Sequence, residues 1–68
     1  MLKNRIKQLL EDRQITAYRF IKDTGIGETT GYGLARNPNR LPSIAIIAKI
    51  CDTYKIQPSE IIYWELNK

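Results

Sequence analysis

A chain of 68 residues, 43% hydrophobic and 26% charged, has the size and composition of one small globular domain. With no histidine and only Cys51, it has no partner for an internal disulfide, no ordinary zinc-ligand set and no histidine-based catalytic machinery, so a non-enzymatic protein without metal or cofactor is expected. No apolar run approaches the roughly 18 residues needed to span a bilayer, and MLKNRIKQLLEDR is amphipathic rather than signal-like, so the expected compartment is the cytoplasm.

Charge is uneven. The net charge is +4, and residues 1–40 carry eight basic side chains against four acidic ones, whereas residues 41–68 carry three of each. The cationic excess therefore lies in the N-terminal part and favours an anionic partner, nucleic acid before membrane.

Leu2, Ile6, Leu9 and Leu10 fall at helical spacing and predict a first helix from the N-terminus, with Lys3, Arg5, Lys7 and Arg13 off the apolar stripe. Gln14 and Ile15 interrupt it. Thr16 is a favourable N-cap for a second short helix whose inner face would be Ala17, Phe20, Ile21 and Thr24. Gly25 is placed to end that helix in the left-handed conformation, and Ile26 gives the turn an apolar anchor. At about 100° per residue, Thr30, Gly31, Leu34 and Ala35 gather on one side of a third helix, and Glu28, Thr29, Tyr32, Gly33 and Arg36 on the other. Two internal glycines each cost such a helix about 1 kcal/mol against alanine, so its neighbours must hold it.

Asn37-Pro38-Asn39-Arg40-Leu41-Pro42 reads as a loop. Ser43 would cap a fourth helix with Ile44, Ile47, Ala48, Cys51 and Tyr54 inward and Ile50 beside them, Cys51 serving as a small core residue. Gln57-Pro58 would open a fifth, short helix carrying Ile61 and Ile62. Tyr63-Trp64-Glu65-Leu66 alternates and reads as a short extended segment.

All four glycines lie within TGIGETTGYG, residues 24–33. A phosphate cradle of the dinucleotide-binding kind requires a preceding strand in a βαβ unit, and a P-loop requires a Lys-Ser/Thr pair; neither is here. Helix, glycine turn and helix is instead the helix-turn-helix layout, over about residues 16–36.

TAYRFIKDTGIGETTGYGLARN resembles the Cro/C1-type (XRE family) phage-repressor helix-turn-helix. The resemblance rests on Thr16 at the cap, Phe20 and Ile21 in the core, Thr24-Gly25-Ile26 in the turn and Leu34 in the third helix. It extends to Leu2, Ile6, Leu9 and Leu10, to Leu41-Pro42-Ser43-Ile44, and to Ile50, Cys51, Tyr54 and Ile56 through Ile62. The resemblance covers essentially residues 2–62 and implies an all-α, five-helix, lambda-repressor-like fold; the chain's length makes residues 1–68 a single expected domain. Three positions depart from the family's pattern: Ala17 replaces a usual glutamine, Gly31 an aliphatic core residue, and Gly33 a long polar reader.

If the third helix enters the major groove, Glu28, Thr29, Tyr32 and Gly33 face base edges, Gly33 through its backbone alone. Glu28 fits the cytosine amino group, or it merely stabilises the positive end of its helix. Thr29 is either a base contact or an indifferent surface residue. Tyr32, expected to be the most exposed aromatic, is assigned to DNA rather than core. Phosphate contacts would come from Thr16, Arg19 and Lys22 on the second helix and from Arg36, Asn37, Asn39 and Arg40, with Ser43 and Ile44 amides adding an anion site. Ile62, Tyr63, Trp64 and Leu66, in a tail covering residues 63–68, would pair two copies, Trp64 alternatively folding back as core.

Two functions compete. One is a sequence-specific transcriptional regulator acting as a dimeric repressor on double-stranded DNA. The other, supported by Ala17, Gly31 and Gly33, is an antitoxin-like protein-interaction module that keeps the fold but binds DNA weakly.

Overall fold

The structure, a computed structural model, describes residues 1–66. Strand β1 spans Leu2–Asn4, followed by helices α1 (Ile6–Arg13), α2 (Ala17–Thr24), α3 (Glu28–Arg36) and α4 (Ile44–Tyr54), a single 3₁₀ turn (Pro58–Glu60) and strand β2 (Ile62–Trp64). The described chain is therefore mostly helical with four α-helices and a two-stranded antiparallel sheet. The core joins Ile6, Leu9 and Leu10 of α1, Phe20 and Ile21 of α2, Ile26, Leu34 and Ala35, Ile50 of α4, Ile56 and Ile61.

The expected first helix starts later than its apolar stripe. Asn4 accepts the Ile6 amide on Oδ1 at 2.9 Å, a local side-chain turn that breaks the chain before α1. Leu2 instead pairs with Trp64, Lys3 with Tyr63 and Asn4 with Ile62. The ladder is extended by Arg5 N–H to the Ile61 carbonyl and Glu65 N–H to the Met1 carbonyl, both 2.7 Å. A Lys3–Glu65 ion pair at 3.1 Å and the Arg5 guanidinium 4.4 Å above the Tyr63 ring cover one side of this ribbon.

The expected fifth helix is only the 3₁₀ turn. Pro58 starts it, and Gln57 and Glu60 close a reciprocal capping box across it. Ile61 then turns fully inward and Ile62 begins β2. Three residues are all that fit before the backbone has to pair with β1.

On α4 the inward face differs from the expected one. Ile44 is 87% exposed and Ala48 is also exposed, while Ile50 is fully buried and Ile46, Ile47, Cys51 and Tyr54 pack at the core's edge. Apolar residues nearly surround this helix, so periodicity alone did not define its face. Ala17, expected on the inner face of α2, is only half-buried at the helix start.

Candidate nucleic-acid interface

The α2–turn–α3 unit is assembled by local chemistry. Thr16 Oγ1 accepts the Arg19 amide at 3.1 Å and starts α2. Phe20 is fully buried, and Thr24, also buried, returns its hydroxyl to the Phe20 carbonyl at 2.7 Å. Gly25 stops the helix at φ 73°, donating its amide to the Ile21 carbonyl at 2.9 Å. Ile26, 6% exposed, plugs the turn beneath the start of α3.

Gly31 sets how closely α3 approaches α2. A Cβ there would land on Ile21 Cγ1 and lie 2.9 Å from Ile21 Cδ1 and 3.5 Å from Ile26 Cδ1. The aliphatic side chain that the resemblance would place on α3 is thus supplied from α2. Leu34 and Ala35 complete the inner face, and Asn37 N–H closes the helix onto the Gly33 carbonyl at 2.9 Å.

The opposite face of α3 is where the base-reading residues were expected. Glu28 and Thr29 are exposed in its first turn. Tyr32 is half-buried rather than the most exposed aromatic; Tyr18 and Trp64 exceed it, because the Tyr32 ring packs against the core's rim and lies under the Arg36 guanidinium at 4.9 Å. Gly33 is half-buried, with the Arg40 side chain laid over it.

Among the expected phosphate contacts, Thr16, Arg19, Lys22, Arg36, Asn37, Asn39, Arg40 and Ser43 are all exposed. Arg19 shares its charge with Asp23 at 3.4 Å, and Lys22 sits 5.5 Å from the Tyr18 ring centre. The loop is stiffened by the Asn39 amide, which donates to Asn37 Oδ1 at 3.0 Å. Ser43 Oγ accepts the Ile46 amide at 3.2 Å and caps α4 as expected.

Sequence reasoning missed Asn4. This asparagine, 3% exposed, donates from Nδ2 to the carbonyls of Leu34, Asn37 and Arg40 at 3.2, 3.0 and 2.6 Å, while its own amide reaches the Pro38 carbonyl at 2.8 Å. It ties β1 to the end of α3 and its following loop. A second missed contact joins α4 to α2: Tyr54 stacks on Phe20 at 6.4 Å and donates to Asp23 Oδ2 at 3.2 Å. Burial and the neighbouring Asp23 carboxylate push the Tyr54 phenol up to about 12.

At the tail, Ile62 and Tyr63 are half-buried, whereas Trp64 and Leu66 are 65% and 77% exposed. Trp64 does not fold back as core. Asn67 and Lys68, the end of the expected tail, lie outside the described residues. Among the described residues no three His, Cys, Asp or Glu side chains come together to hold a metal, and no helix is long and apolar enough to cross a membrane.

The family model of the Cro/C1-type helix-turn-helix DNA-binding domain matches residues 5–67. The chain belongs to this Cro/C1-type family. A crystal structure of a candidate DNA-binding protein from Bacteroides fragilis is similar to it, with a TM-score of 0.76 and 27% identity over 93% of this chain and 100% of that one. No curated protein gives a significant match. Within the Cro/C1-type domain, α2 and α3 are the helix-turn-helix pair.

Proposed function

We propose that the protein is a sequence-specific DNA-binding transcriptional regulator, a homodimeric repressor that inserts α3 into the major groove of a near-palindromic operator. The observation that carries this reading is the outer face of α3. Its exposed first turn, Glu28 and Thr29, stands on a helix held hard against α2, with the exposed cations Arg19, Lys22, Arg36 and Arg40 on α2, α3 and the adjoining loop. Glu28 and Thr29 read bases and Tyr32 contributes the edge of its ring, whereas Gly33, expected to bring the backbone close, lies under the Arg40 side chain. Thr16, Arg19, Lys22, Arg36, Asn37, Asn39 and Ser43 hold phosphates.

Dimerisation is assigned to the tail. Ile61 and Glu65 direct their backbone bonds toward β1, so in an antiparallel ladder the intervening Ile62 and Trp64 turn theirs to the outer edge of β2. That edge, with exposed Trp64 and Leu66 beside it and Ile62 and Tyr63 along it, pairs with its twin across a two-fold axis.

Binding to mixed-sequence duplex DNA, titrated with salt, tests the DNA reading. Affinity should fall steeply as salt rises, and Arg19→Ala or Lys22→Ala should each reduce the logarithmic slope by about 1. Weak binding with a shallow slope would favour the protein-interaction alternative.

A further inference from the structure

We infer that Arg40, a loop residue, is the base reader at the centre of the recognition helix, taking the place of the side chain that Gly33 lacks. The inference rests on the DNA-binding reading and deepens it. Gly33 is one turn beyond Thr29 and just under one turn before Arg36, so its Cα points toward the same face as the exposed first turn. The space a side chain would fill there is already occupied. A Cβ on Gly33 would fall on Arg40 Nη1, with Arg40 Cζ at 3.0 Å and Cδ at 3.2 Å. The absence of a Cβ is what lets the guanidinium lie across the middle of α3 rather than off its flank.

The stem of Arg40 is fixed at both backbone groups. Its carbonyl accepts Asn4 Nδ2 at 2.6 Å, and its amide donates to the Asn37 carbonyl at 3.1 Å. Among the described residues the guanidinium has no carboxylate partner and no hydrogen bond; the ion pairs there are Lys3–Glu65, Arg19–Asp23 and Lys55–Asp52. Its N–H donors, without a partner among the described residues, form a planar fork lying against Gly33 on the outer face of α3. The base edge matching such a fork is guanine, whose O6 and N7 accept it bidentately. A lysine at the same place keeps the charge but not the fork.

The test is selection of bound sequences from random duplex DNA by the full chain as wild type, Arg40→Lys and Gly33→Ala, each checked by thermal melt. The wild type should enrich guanine at one position of each half-site. Arg40→Lys should lose that preference by about 5- to 150-fold while the other positions and the salt slope stay the same. Gly33→Ala should melt no lower than wild type and lose preference at the same position, because its methyl displaces the guanidinium. An unchanged guanine in either variant overturns the assignment while leaving the regulator reading intact; a wild type that enriches no motif overturns both.

Discussion

The side-chain amide of Asn4 donates to the Arg40 carbonyl at 2.6 Å, fastening strand β1 to the loop that leaves α3. The same nitrogen reaches Leu34 and Asn37, and Oδ1 accepts the Ile6 amide, so one buried side chain closes α3 and opens α1. Asn4→Ala should destabilise by about 2–4 kcal/mol, through a lost turn acceptor and stranded carbonyls. Asn4→Asp keeps the acceptor but turns a second oxygen toward three carbonyls, and should be worse still. Urea denaturation checks both; an aspartate variant as stable as wild type would show that the donors are not needed.

The Gly31–Ile21 contact predicts a coupled pair. Gly31→Ala gains helix propensity of about 1 kcal/mol but drives its methyl into Ile21, and the net effect should be a loss of about 1–3 kcal/mol. Gly31→Leu should cost more. In combination with Ile21→Ala, which opens the space, Gly31→Ala should cost less than the sum of the single changes. Additive losses in a double-mutant cycle would mean that the two residues do not press on each other.

Trp64 and Leu66 carry the prediction about assembly. Both are exposed, so Trp64→Ala with Leu66→Lys should leave the helical circular-dichroism spectrum intact. Sedimentation equilibrium should move from dimer to monomer, and operator affinity should fall with it. A double variant that still sediments as a dimer would place the interface elsewhere, and a wild type that is monomeric at tens of micromolar would remove the symmetric operator.

How far the sequence disclosed the fold depends on the distance over which each signal acts. Thr16, Gly25, Ile26 and Ser43 were legible because caps and turns are decided within four residues. The strand at Leu2 was not, since its pairing partner Trp64 lies at the far end of the chain and its spacing to Ile6 mimics a helix. Ile44 was misplaced inward because α4 is apolar on almost every side. Asn4 and the covering of Gly33 by Arg40 were invisible for the same reason as the strand: each joins segments that only the finished fold brings together.

Tyr54 predicts an alkaline dependence. Its folded pKa, about 12, lies above the usual 10, so the stability it contributes is complete below pH 10 and declines as pH rises toward 12 and through it. Tyr54→Phe keeps the ring on Phe20 but has no phenol to ionise. Chemical denaturation at pH 8 and at successive steps above pH 10 should find the wild type losing more stability than the variant. Parallel losses would mean that ionisation of other groups governs the alkaline limit.

The central claim, that two copies of α3 read a symmetric site, is tested most directly by selecting bound sequences from random duplex DNA with the wild-type chain. The account predicts a near-palindrome whose half-site centres are about 10 base pairs, or about 34 Å, apart, matching one turn of the double helix. Selection of no motif, or of a single asymmetric half-site with affinity insensitive to salt, would contradict it.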